Sequence, residues 1–129
     1  MARGVRRLIN LPYCLVILAG TTASADVVRA PVVSWVPTID TVKQIEGQIV
    51  MPPGARPLQE YTRNYQGITE GDIGHQRHRI GGQFILGGDR QIHLMKVFDI
   101  HLGQNCSVVF IDFDLDENRL TLSECKGSN

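Results

Sequence analysis

The chain has 129 residues, with thirteen basic and thirteen acidic side chains and hence a formal charge of zero. That is one domain's worth of sequence. A charge so evenly balanced excludes the broad basic surface that nucleic acid or an anionic membrane would require.

The N-terminus reads as an address. Arg3, Arg6 and Arg7 stand ahead of a stretch from Leu8 to Ala25 that carries no charged side chain. Its densest part, Leu11 to Gly20, has the size of a signal-peptide apolar region and is well short of the roughly twenty residues a membrane-spanning helix needs. Asn10 and Pro12 interrupt the uncharged run from Leu8 to Ala25, against a lasting anchor. Cys14 follows the bulky Pro12-Tyr13, where a lipid-modification site needs small residues, and Arg6-Arg7 has a poor context for a twin-arginine signal. Ala23 and Ala25 give the small side chains a signal peptidase accepts, so cleavage is expected after Ala25. Residues 1–25 are thus read as a signal peptide and residues 26–129 as one exported domain, periplasmic or secreted, with no membrane span after cleavage. That domain keeps ten basic and thirteen acidic residues, a charge of −3.

Asp26 to Val36, rich in valine and containing Pro31 and Trp35, reads as an extended lead-in or edge strand. Thr38 is a capping residue, and Ile39, Val42 and Ile45 recur at helical spacing before Gly47, which predicts a short helix. Met51-Pro52-Pro53-Gly54 breaks regular structure. Pro57 then opens a second predicted helix, with Leu58, Tyr61 and Tyr65 at spacings of three and four and Gly67 past its end.

From about Ile68 the pattern turns to period two. Arg79 to Leu86 predicts a strand, and Gly87-Gly88-Asp89 a turn. Gln91 to Leu102 alternates except at Lys96, which predicts a bulge or two shorter strands. Cys106 to Leu115 is the most apolar strand, apolar on both faces near Cys106 and on one near Asp114, so it should enter from the covered middle of a sheet and leave towards solvent. Asp116 to Arg119 supplies a turn, and Leu120 to Cys125 the last strand. The whole predicts an α+β domain: one or two short helices on an antiparallel sheet of four or five strands.

Cys106 and Cys125 remain after cleavage, and in an oxidising compartment an even count reads as a disulfide. A four-residue turn at Asp116 to Arg119 would leave Cys106 about 13 Å from its partner at the usual strand rise. A bond therefore requires a tighter turn or a strand end that curls back.

Several constellations invite chemistry. Asp112-x-Asp114-x-Asp116 begins like a calcium loop, but Glu117 stands where glycine is needed and Ser123 where the bidentate glutamate should be. His75 and His78 are close enough to share a metal but lack a third ligand, and His93 and His101 are roughly 26 Å apart on an unbroken strand. Arg77 and Arg79 join His75 and His78 in the only basic cluster, too small for a polyanion surface. Asp99 and His101 share a strand face and could form an acid–base pair if a partner strand supplied a nucleophile. Gly81-Gly82 and Gly87-Gly88 read as bulge and turn, and Asn105-Cys106-Ser107 is a glycosylation acceptor only in a eukaryotic secretory pathway.

With Pro57-Leu-Gln-Glu-Tyr61-Thr-Arg-Asn-Tyr65 followed downstream by Asn105-Cys106-Ser-Val-Val and Cys125-Lys-Gly, the chain resembles a group of small exported alphaproteobacterial proteins. Such proteins carry a PLxxYxRxY segment and a C-terminal cysteine pair. The resemblance implies a periplasmic or secreted setting and supports the disulfide, and it brings no activity. The expected function is an exported, non-catalytic structural or binding module acting on an envelope protein or ligand, without a cofactor. The alternatives are a small envelope enzyme using Asp99 and His101, and a histidine-based metal binder.

Overall fold

The structure, a computed structural model, describes residues 31–125. The predicted signal peptide, its cleavage site and the last four residues lie outside the described residues. Within them the order is strand β1 (Val32–Trp35), helix α1 (Ile39–Glu46), a 3-10 turn (Leu58–Glu60), then β2 (Tyr61–Glu70), β3 (Arg77–Leu86), β4 (Ile92–Leu94), β5 (Val108–Asp114) and β6 (Arg119–Leu122). Five strands form an antiparallel sheet in the order β1-β2-β3-β5-β6, and β4 adds to β2 in parallel. The α+β class with an antiparallel sheet stands. Among the described residues the strands number six, above the four or five predicted, with one α-helix.

Helix α1 forms where predicted. The Thr38 side chain accepts a hydrogen bond from the Thr41 N–H at 3.3 Å, and Gly47 follows the last turn. The cap satisfies a donor the helix leaves open, and Val42 and Ile45 bury the inner face against the sheet.

The second predicted helix is instead a strand of ten residues, as long as β3, entered through a single 3-10 turn. Tyr61, Arg63, Tyr65 and Gly67 are all buried on one face. A spacing of four satisfies helix and strand alike, and the charged residue between the tyrosines made the strand parity look polar. Burial of Arg63 is made tolerable by Glu46 at the end of α1. Its carboxylate accepts from Arg63 Nε at 2.8 Å, from Nη2 at 3.2 Å and from the Tyr65 hydroxyl at 2.9 Å. Arg63 Nη1 donates to the carbonyls of Tyr61 and Arg90, so the buried ion pair is hydrogen-bonded on both sides.

The inner face carries the core: Tyr61 and Tyr65 from β2, Ile80 and Phe84 from β3, and Val109, Ile111 and Phe113 from β5, under Val42, Ile45 and Leu58. Two glycines make the packing possible. A side chain at Gly67 would meet the Trp35 ring at 2.2 Å, so the indole lies directly over the strand. Gly82, paired between Tyr65 and Ile111, leaves room for both; a Cβ there would meet Ile111 at 2.6 Å. Neither is a bulge or a helix end.

The turn after β3 does not fold the chain back beside it. The chain passes the start of β2, pinned by the Thr62 hydroxyl, which donates to the Gly87 carbonyl at 2.6 Å and accepts from the Arg90 N–H at 3.0 Å. It then pairs with β2 on its far edge over Arg63 to Tyr65. Only Ile92–Leu94 of the predicted long strand is strand. Residues 95–103 run as a strap over the outer face of the sheet, tied down by glutamines. Gln66 Oε1 accepts from the Phe98 N–H at 3.1 Å. Gln83, fully buried, donates to the Asp99 carbonyl at 2.8 Å and accepts from the His101 N–H at 2.6 Å. Alternation without a partner strand leaves Val97, Ile100 and Leu102 exposed.

Candidate groove beside the disulfide

The even-numbered residues of β5 face outward, so Val108 and Phe110 lie on the sheet face opposite the core. The strap ends over this corner, and its last residues fold into a tight turn in which the Ser107 N–H donates to the Gln104 carbonyl and the Gln104 N–H to the Ser107 hydroxyl. Beyond the end of β6, the Ser123 N–H donates to the Phe110 carbonyl and the Ser123 hydroxyl accepts from the Phe110 N–H. Strap and β6 thereby wall a groove of about 460 Å³. Its floor is Val108 and Phe110; Leu102, Gln104 and Asn105 form one side, Ser123, Glu124 and Cys125 the other. The volume is in the range of small-ligand pockets, typically about 300–1,000 Å³.

Cys106 and Cys125 close the end of the groove. They are joined as a disulfide with α-carbons 4.8 Å apart. Of the two routes that the sequence left open, the strand end that curls back is the one taken; the turn is no tighter than predicted, but a shift in its register shortens the gap. The hairpin pairs Asp114 with Arg119 around a turn of Leu115 to Asn118, one residue earlier than predicted, with Asn118 in the left-handed region at φ 53°. The strand end also curls: Asn105 and Cys106 take φ of 55° and 64°. A left-handed conformation costs an ordinary L-residue roughly 1–2 kcal/mol, and here it is held from below. The buried Tyr61 hydroxyl donates to the Cys106 carbonyl at 2.7 Å and accepts from the Arg56 N–H at 3.2 Å.

The residues singled out from sequence fall elsewhere. Asp99 and His101 sit on the strap, attached through main-chain groups to Gln83, with both residues exposed. His93 pairs with Asp89 at 2.6 Å and His78 with Asp116 at 3.2 Å, while His75 lies exposed in the β2–β3 connection. Among the described residues no three His, Cys, Asp or Glu side chains converge where a metal ion would sit. The predicted basic cluster is neutralised in place: Arg77 pairs with Asp114, and Arg79 with Glu70 and Asp112. Asp114 is not the solvent-facing acid its position suggested. It is buried, accepting from the N–H groups of Asp116 and Glu117, and the Glu117 N–H foremost, with Arg77 behind it, holds its carboxyl below the usual carboxylate range.

Two groups, one in the groove and one in the core, had little or no sequence signal. The outer apolar pair Val108 and Phe110 was visible as a strand apolar on both faces, but as coverage rather than as a groove floor. The buried set of Glu46, Arg63 and Tyr65 had none, because its members come from a helix and a strand read as a second helix. Burial drives the Tyr65 phenol far above its ordinary pKa, and the neighbouring Glu46 carboxylate adds to the rise. The Tyr65 hydroxyl donates to the Glu46 carboxylate at 2.9 Å.

Fold and site together define a small α+β domain with one face closed by a helix and the other by a strap, and a groove at one corner fixed by a disulfide. Compared with known protein families, curated proteins and solved structures, the chain matches none.

Proposed function

We propose that this protein is an exported, non-catalytic binding module whose ligand site is the groove beside Cys106 and Cys125. One observation carries the binding part: an apolar floor with a few polar groups at its rim, on a frame held by the disulfide, by Tyr61 and by Ser123. Such a pre-formed concavity spends little free energy on ordering when it is filled. The export part rests on residues 1–25, and the motif likeness to small exported alphaproteobacterial proteins supports the same setting. Its ligand is an envelope protein or a molecule of that compartment. The exposed side chains of Asp99 and His101 give the enzymatic alternative no support, nor do the separately paired histidines favour a metal binder.

The test places a photo-crosslinking amino acid at Gln104, on the groove wall, or at Gln59, exposed on the 3-10 turn, in the full chain expressed in a bacterial host. A saturable adduct at position 104 alone is expected, on a protein whose N-terminus is Asp26. Equal labelling at both positions would remove the groove from the reading, and a cytosolic product still bearing Met1 would remove the export.

A further inference from the structure

The groove opens beside the β6 edge of the sheet, and the two features are continuous. Among the described residues β6 pairs only with β5. The Ser123 N–H points inward to Phe110. By the alternation of an antiparallel ladder, Arg119, Thr121 and Ser123 turn their main-chain groups to β5, while Leu120, Leu122 and Glu124 turn theirs away from it. That edge carries no proline and no bulge, two of the usual devices that keep an exposed edge from pairing. Where it ends, Ser123, Glu124 and Cys125 become the groove wall.

Charge narrows what would lie there. Among the described residues, Glu124 is the only charged one lining the groove. Of the twelve carboxylates of the described residues, Glu46, Glu60, Glu70, Asp89, Asp112, Asp114, Asp116 and Glu117 have an arginine or histidine partner, and Asp40, Asp72 and Asp99, which have none there, do not line the groove. Glu124 has none among the described residues. A strand edge offering main-chain donors and acceptors, next to a concavity with an apolar floor and a carboxylate at its rim, matches the strand-addition mode of peptide recognition. In that mode main-chain bonds supply affinity and adjacent pockets supply side-chain choice. A small molecule would use the concavity but leave the edge unused.

We infer that the protein binds an extended segment of a partner protein, added as a strand to the outer edge of β6, with a lysine or arginine side chain seated in the groove against Glu124. The inference rests on the groove being the ligand site and adds the class of ligand. The full exported domain, isotope-labelled, is titrated with a capped heptapeptide of alternating threonine and valine carrying one central lysine. Controls are the same peptide with central glutamate, two versions N-methylated at alternate amides, and hexylamine.

The lysine peptide is expected to shift the amide resonances of Leu120, Leu122 and Glu124 together with those of Gln104 and Asn105. Glu124→Gln, an exposed change that leaves the fold intact, weakens it about three- to fivefold, the size of an exposed ion pair. One of the two N-methylated peptides loses more than about tenfold, because its main-chain donors no longer reach the edge. If hexylamine binds in the groove without moving Leu120 and Leu122, and the peptide adds nothing, the strand inference falls and the groove reading survives. If the lysine and glutamate peptides bind alike and Glu124→Gln is silent, the basic-segment inference falls. If no probe perturbs the groove while the Gln104 crosslink still forms, the ligand class is wrong; if that crosslink is absent too, the groove reading itself fails.

Discussion

Single hydroxyls and charges hold this domain's less probable conformations in place. Tyr61 carries one hydrogen bond into the curled end of β5 and takes one from the loop below, both made by a fully buried side chain. Tyr61→Phe leaves the Cys106 carbonyl without its donor, and the expected loss is about 1–3 kcal/mol. Denaturant melts should show a lower midpoint at unchanged slope, and an unchanged midpoint would mean that the left-handed Cys106 is held by the disulfide alone. A second residue-scale prediction concerns Arg63, whose removal abandons a Glu46 carboxylate that is only 14 % exposed. Arg63→Met is expected to destabilise by about 3 kcal/mol or more, and the double change with Glu46→Met by clearly less, since an apolar pair needs no partner. A double-mutant cycle reads the difference; additive losses would show that the two side chains are not coupled.

At the scale of elements, alternation in the sequence located strands but could not say what they would pair with. β3 and β5 form where period two predicted them, and α1 where the cap and apolar spacing predicted it. Tyr61 and Tyr65 misled because two residues four apart share a face in either conformation, and the flanking Pro57 and Gly67 are ordinary helix punctuation. What decides for the strand is tertiary: Trp35 lies over Gly67, and Glu46 neutralises Arg63, neither of which the local pattern contains. The segment after β4 failed differently. Its alternation is real, yet β4 joins the edge of β2 for three residues only and the chain then climbs over the outer face. Beyond the Met95 N–H, which donates to the Tyr65 carbonyl, the strap is held by two glutamine side chains and buries little, so it belongs to the low-stability end of the molecule. Gln83→Leu keeps the volume and removes both bonds to the strap. Amide exchange at Phe98 and His101 should then quicken strongly, while the β2–β3 ladder stays protected within about a factor of ten, roughly 1.4 kcal/mol. Equal acceleration in both places would show that Gln83 serves the sheet and not the strap. The groove's floor was legible as a strand apolar on both faces; its walls were not, because they depend on where the strap lands and where β6 stops.

For the molecule as a whole, the groove stands on a hairpin whose turn is built from ionised carboxylates. Asp114 and Asp116 flank the start of the turn that sets the β5–β6 register, and that register brings Cys125 within reach of Cys106. The bond closes a loop with a sequence separation of 19, worth on the order of 3 kcal/mol in the chain-entropy model. The Asp114 carboxyl is held below its ordinary pKa first by the Glu117 N–H, that of Asp116 first by the His78 N–H, and that of Asp89, in the β3–β4 connection, first by the Gln91 N–H. Each is therefore more acidic folded than unfolded, where an aspartate titrates near about 3.9. Between those values the unfolded chain binds more protons, so the contribution to stability is fully present above about pH 4 and is lost as pH falls through the folded values. Melting temperature should be flat across neutral pH and drop on the acid side. Asp114→Asn should melt lower than the parent at pH 7 and show a shallower acid limb, converging with it as the parent's own carboxylate is protonated. An acid limb parallel to the parent's would place the titrating groups elsewhere and leave the turn's geometry to Asn118 alone.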